Sequence, residues 1–127
     1  YIEQTQNDLF ADRQLRLMIE NGNRQVVGIV DLCSFDPLHN RAEVGIMVDK
    51  SCRRQGIGRN ALALLQEHCF RYLGIHQLFA YIAVENLPSR RLFAACGYKE
   101  SAVLKEWAHT FGGGYTDVLV VQKLNLS

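Results

Sequence analysis

SCRRQGIGRNALALLQ, residues 51–66, is the stretch on which the fold turns. Gly56 to Ala61 satisfies G-x-G-x-x-A, half of a dinucleotide-binding fingerprint. In a dinucleotide fold the first glycine follows a strand almost at once, so the turn delivers the helix N-terminus to a pyrophosphate. Here the upstream apolar alternation stops at Val48, and residues 49–55 intervene. An antiparallel meander feeds the loop, where a dinucleotide site needs the opening of a βαβ unit. Glu85, at the end of the next strand, is 29 residues from Gly56, far for a ribose partner. NAD does not fit. The same physics suits another anion: glycines that admit a close backbone approach, amides at a helix start, and the guanidinium groups of Arg53, Arg54 and Arg59.

Upstream, Leu15, Leu17 and Ile19 share one face of a strand. Asn21-Gly22 is a hairpin turn signal, and Val26–Leu32 reads as a strand buried on both faces. A turn over Pro37–Asn40 leads to a strand from about Arg41 to Val48, with Ala42, Val44, Ile46 and Val48 on one face and Glu43, Gly45 and Met47 on the other. Segment 1–12 suggests the end of a helix. Downstream, Leu62, Leu65, Cys69 and Tyr72 make the stripe of a helix from about Gly56 to Leu73. A strand over Gln77–Val84 then implies a parallel crossover. A short helix over Pro88–Cys96, and strands near 98–108 and 115–124 around Gly112-Gly113-Gly114, complete the chain. The fold class is α+β: a mixed, mostly antiparallel sheet with a main helix, a minor helix and a closing hairpin.

The 127 residues make one domain, 48% hydrophobic and 21% charged, which is ordinary for a globular protein. A net charge of +1 gives no general attraction to nucleic acid or anionic membrane. No apolar run approaches the roughly 20 residues of a membrane span. Cys33, Cys52, Cys69 and Cys96 form no C-x-x-C, so no metal is expected, and they read as reduced thiols of a cytoplasmic protein.

A strand, a basic loop with Arg53-Arg54-Gln55-Gly56-Ile57-Gly58 and a long helix resemble the acyl-CoA loop of the GNAT superfamily of N-acetyltransferases. Ala83-Val84-Glu85-Asn86, then Arg90-Arg91-Leu92-Phe93 and Cys96-Gly97-Tyr98, resemble that family's second signature. The order of elements from about Leu15 to Leu124 is similar too, and the spermidine and ribosomal-protein acetyltransferase branches look nearest. The family carries a strand and helices ahead of Leu15 that are expected to be absent here.

The resemblance implies acetyl-CoA as co-substrate, lying between splayed strands on either side of the main helix. Its pantetheine would bond the backbone of Ile46, Met47 and Val48. Its pyrophosphate would take amides from Arg54 to Arg59, with Gln55, Gly56, Ile57 and Gly58 between them and Arg53 beside them. Asn86, Ser89 and Phe93 would border the thioester. A primary amine of pKa about 10 is ~99.9% protonated at pH 7, so the reaction needs a base. Glu43 is the candidate; its alternative is a half-exposed sheet glutamate in an ion pair with Arg41 or another basic group. Relatives offer a tyrosine to the leaving thiolate where this chain has Phe93. Tyr98 reads as core, and Trp107 and Glu106 as core packing and a solvated charge rather than acceptor contacts. His39, His68 and His109 are weaker candidates for any role.

The implied activity is acetyl transfer to a small primary amine, a polyamine such as spermidine among them, with a homo-oligomer compatible. A protein N-terminus or another small amine is the alternative acceptor. A non-catalytic acyl-CoA-binding module is the alternative of another class.

Overall fold

The computed structural model describes residues 2–4, 14–50 and 56–126. Strands β1 (Ile2–Gln4), β2 (Leu15–Glu20), β3 (Val26–Asp36) and β4 (Arg41–Val48) lead to helix α1 (Ile57–Glu67), which runs into a π-helical turn (His68–Tyr72). Strand β5 (Gln77–Ala83), helix α2 (Leu87–Ala95) and strands β6 (Lys99–Thr110) and β7 (Gly114–Leu124) follow. The strands form one sheet in the order β1-β2-β3-β4-β5-β7-β6. Among the described strands only β4 and β5 run parallel; every other neighbouring pair is antiparallel. Residues 2–4, within the segment that suggested a helix end, are a strand paired with β2, so a strand does precede Leu15, contrary to the expectation that none would.

One face of the sheet carries Leu15, Leu17, Val30, Leu32, Ala42, Val44, Leu78, Ala80 and Ile82 into the core. They meet Leu62, Leu65 and Cys69 from the helical segment and Phe93 from α2. The helix stripe read from the sequence is thus the buried one, except at Tyr72, which the π-helical turn leaves exposed. Strand β3 is buried on one face rather than two, with Ile29 and Asp31 only partly covered. The Asn21 turn is longer than a two-residue loop. The Asn21 side chain accepts from the N–H groups of Asn23 (2.8 Å) and Gln25 (3.0 Å), and Arg24, not Gly22, takes the left-handed conformation.

The sheet is pinned between the start of β4 and the start of β5 by Asn40. Its C=O accepts from the N–H groups of His76 (3.0 Å) and Gln77 (3.3 Å), and its Nδ2 donates to the Gly74 C=O (2.7 Å). At the other end of β4, Gly28 of β3 faces Val48. A Cβ at Gly28 would stand 2.7 Å from the Met47 carbonyl oxygen and 3.1 Å from Ile19 Cδ1. The Met47 carbonyl is backbone held in the sheet, whereas the tip of the Ile19 side chain can give by a few tenths of an ångström. Gly28→Ala is therefore expected to cost about 1–3 kcal/mol, the usual price of overpacking, read as a lower urea midpoint. An unchanged midpoint would show that the β3–β4 ladder yields more easily than its geometry implies.

Candidate functional site: a gap between two strands

The parallel ladder between β4 and β5 has only the pairs Arg41↔Gln77, Ala42↔Leu78 and Glu43↔Phe79. Past Glu43 each strand keeps its outer partner. Strand β4 stays on β3 to Val48, and β5 stays on β7 to Ala83. The inner edges diverge, so the sheet opens into a V with Glu43 and Phe79 at its apex.

Peptide groups alternate sides along a strand, which settles what lines the V. The Asn40 C=O points to β5, and the Asp49 N–H points to the Val27 C=O of β3 (2.6 Å). Even-numbered residues of β4 therefore face β5. Beyond the last rung, the C=O of Val44 and both the N–H and C=O of Ile46 open onto the gap, with Val48 turned the same way. Met47 turns its peptide groups to β3, and its side chain is 70% exposed. On β5, the N–H of Gln77 bonds Asn40, so the odd-numbered Tyr81 and Ala83 face the gap. The Ala83 C=O accepts from Asn86 N–H (2.9 Å). Ile46 meanwhile packs its side chain against both apolar clusters, so its burial and its open backbone coexist.

Helix α1 starts at the open end of the V. Gly56 is its N-cap at φ 75, ψ 4, with no side-chain cap. This left-handed conformation is what glycine tolerates. The first-turn amides of Ile57, Gly58 and Arg59 have no acceptor within the helix, and the helix dipole adds partial positive charge there. A Cβ at Gly58 would lie 3.4 Å from Val48 Cγ2 and 3.5 Å from Leu92 Cδ2. The helix start thus sits between the end of β4 and α2. That spacing is ordinary contact, so the need for glycine rests on Gly56 rather than Gly58. Arg59 is exposed, and its C=O accepts from the Cys96 thiol (S···O 3.7 Å). Arg53, Arg54 and Gln55 lie outside the described residues.

Glu43 is half-buried on the face opposite the core. Arg41 pairs with Asp36 (3.7 Å) instead, and no salt bridge engages Glu43 among the described residues. Across the β3–β4 ladder it faces Cys33. Burial, then the Glu43 carboxylate, raises the Cys33 thiol pKa, so a neutral thiol flanks the carboxylate. Cys33 also lines a cavity of about 420 Å³ with Gln14, Leu15, Arg16, Asp31 and Leu32, residues at β2 and β3.

On the β5 side, Asn86 caps α2, its Oδ1 accepting from Ser89 N–H (3.2 Å). Phe93 is 4% exposed, edge-on to Tyr98 with centroids 4.9 Å apart. Tyr98 is core as expected, and burial pushes its phenol pKa up, with Cys69 and Cys96 nearby adding to the rise. Burial also pushes Cys69 up to about 12, which keeps it an inert thiol. Among the described residues no cluster of three or more His, Cys, Asp or Glu side chains is placed to hold a metal, and no helix is long and apolar enough to cross a membrane.

A strand pair splayed next to a glycine-started helix is a specific arrangement, and the chain's likeness to known proteins agrees with it. A family model described as the acetyltransferase (GNAT) domain matches residues 1–99. The chain belongs to the GNAT acetyltransferase family. This GNAT chain is 27% identical over 103 residues to the spermidine N(1)-acetyltransferase of Vibrio cholerae, covering 81% of the chain and 59% of the relative. It is 37% identical over 101 residues to a candidate phosphinothricin acetyltransferase of Bacillus subtilis, covering 76% and 59%. It superposes on a dodecameric structure of spermidine N-acetyltransferase from Vibrio cholerae with a TM-score of 0.85 and 25% identity, covering 92% of this chain and 68% of that one. The GNAT chain thus spans 59% of the length of both curated relatives. Reading side chains did not find Val44, Tyr81 or Ala83, because their contribution is backbone; the alternation of peptide groups past the last rung is the signal for them.

Proposed function

We propose that this GNAT domain transfers acetyl from acetyl-CoA to a primary amine, with polyamines such as spermidine the first class to try. The observation that carries the reading is the ladder that stops at Glu43↔Phe79 while both strands continue. An amide-bearing pantetheine supplies the partner that Val44 and Ile46 lack among the described residues, as a short added strand would. The diphosphate suits the amides of Ile57, Gly58 and Arg59 behind Gly56 and the Arg59 charge, with Arg53, Arg54 and Gln55 assigned beside them from the sequence. Ile46 and Val48 face the right way for pantetheine. Met47 serves as their spacer. Asn86, Ser89 and Phe93 form the border of the acyl end.

Glu43, at the apex, takes the proton from the incoming ammonium. The free amine attacks the thioester carbonyl, the second N–H proton leaves the nitrogen to water, the C–S bond breaks, and the amide product and CoA thiolate result. Phe93 has no proton to give, and the Tyr98 phenol is buried against it. Water is therefore assigned to protonate the thiolate, which a thiol pKa of about 8.5 makes a tolerable leaving group. The 27% identity to a named spermidine acetyltransferase supports the polyamine class, and the dodecameric neighbour supports a homo-oligomer. A cytoplasmic location goes with acetyl-CoA as co-substrate. The 37% identity to a relative named for phosphinothricin favours a second reading, a different small amine as acceptor, and a protein N-terminus belongs to the same test. The acid-less Phe93 favours a third, an acyl-CoA-binding module without turnover.

Titration calorimetry of the full-length protein is expected to give a Kd for acetyl-CoA in the range of about 1–100 µM, with NADH at least tenfold weaker. No heat with acetyl-CoA and firm binding of NADH would overturn the reading. Thiol release across an amine panel then separates enzyme from module.

A further inference from the structure

Gly45 is a glycine that the fold of β4 does not require. It lies inside the strand, two residues past Glu43, and pairs with Asp31 of β3. It is not among the glycines with positive φ. Among the described residues, a Cβ built on it would meet only Asp31 Cβ, at 4.0 Å. A side chain there is neither strained nor crowded, in contrast to Gly28 on the neighbouring strand. A glycine inside a strand weakens it, and one the backbone does not need marks a place where a ligand comes close. Gly45 is exposed, and it shares the face of Glu43. Its peptide groups turn to β3, so the edge of β4 that lines the gap does not include them.

An acceptor that gives its proton to Glu43 comes over this face, opposite the core. Directly beside Glu43 stand Cys33 on β3 and Phe79 on β5. One step toward the open end of the V, the same face carries Asp31 on β3, Gly45 on β4 and, across the gap, Tyr81 on β5. Asp31 accepts from Arg16 Nε (2.8 Å) and Nη2 (3.2 Å), so the pair carries no net charge, and shape rather than attraction does the selecting. Tyr81 is half-exposed and edge-on to Phe79, with centroids 5.8 Å apart. The side chain that Gly45 lacks leaves a slot between the Asp31 wall and the aromatic wall, with Glu43 at its closed end. Two residues along a strand span about 6.7 Å, the length of a short methylene chain. We propose that Gly45 is a specificity-determining residue for the acceptor, leaving room over β4 for the carbon chain behind the amine that Glu43 deprotonates. This deepens the proposed function, and rests on it for Glu43 as the base and an amine as the acceptor.

Gly45→Ala and Gly45→Val, in the full-length protein, test this against wild type. The probes are spermidine, phosphinothricin and a short peptide with a free N-terminus. Each is titrated calorimetrically with CoA present, and each is assayed for thiol release with acetyl-CoA. For the probe that wild type binds most tightly, Gly45→Ala is expected to raise Kd and KM about threefold and Gly45→Val about tenfold or more. The acetyl-CoA Kd and the Tm are expected to hold, because the added carbons enter open space on the face away from the core. A glycine with a merely structural role would move Tm instead. One amine Kd and KM shared by all three proteins overturns the inference and leaves the proposed function standing. A substitution that weakens acetyl-CoA as much as the amine also overturns the inference. Amine binding that Gly45→Val weakens, with no acetyl transfer by wild type, overturns the proposed function and leaves this inference standing. Wild type that neither binds nor acetylates any probe overturns both.

Discussion

Glu43→Gln is expected to lower amine turnover at pH 7 by about 10²–10⁴-fold, the usual worth of a general base. Glutamine fills the same space, so the apex of the V and the binding of acetyl-CoA should survive. The proton acceptor is what disappears. Without it only the free-amine fraction reacts, so the rate should climb about tenfold per pH unit until the amine's own pKa of about 10. Stopped-flow thiol detection across that pH range reads both effects. Wild-type turnover with a wild-type pH profile would return Glu43 to the role of a sheet carboxylate. The absence of a salt bridge to it among the described residues makes that outcome the less expected one.

Leu62→Ala should have the largest effect on stability. Leu62 has no exposed surface and joins the core that α1 makes with β4, β5 and α2. Truncation removes the buried methyls and leaves a cavity that fixed sheet positions cannot fill, at a cost of about 2–5 kcal/mol. For a domain this size that lowers Tm by roughly 10–20 °C. Calorimetry or urea titration reads it, and a shift under about 1 kcal/mol would mean that the helix settles to close the hole. Because α1 brings its first turn to the mouth of the gap through this packing, weaker acetyl-CoA binding should accompany the loss.

Periodicity made the architecture legible. The alternation from Ala42 to Val48 and the stripe Leu62, Leu65 and Cys69 gave β4, and α1 taken together with its π-helical turn, close to their observed bounds. Element order and the parallel crossover followed from loop lengths. The Asn21 turn was harder, since the left-handed residue proved to be Arg24, chosen by the side-chain bonds of Asn21 rather than by the neighbouring glycine. The π-helical turn left no mark in the pattern until its effect at Tyr72.

The site was legible only where a residue type carries it. Gly56 announces its left-handed conformation, and Glu43 announces a candidate proton acceptor. The open peptide groups of Ile46 and Tyr81 announce nothing, because any side chain brings the same backbone. Trp107 was misjudged for a related reason. An aromatic residue in a strand reads as core, but β6 is an edge strand exposed along almost its whole length, and Trp107 on it is 62% exposed.

Asn40 gathers a turn, a strand start and the end of a helical segment at one edge of the molecule, leaving the opposite edge free of that duty. That clamp stands at the closed end of the gap, beside the three rungs that still join β4 to β5. The two strands leave it as arms leave a pin, so their angle is set at one end and the room between them appears at the other.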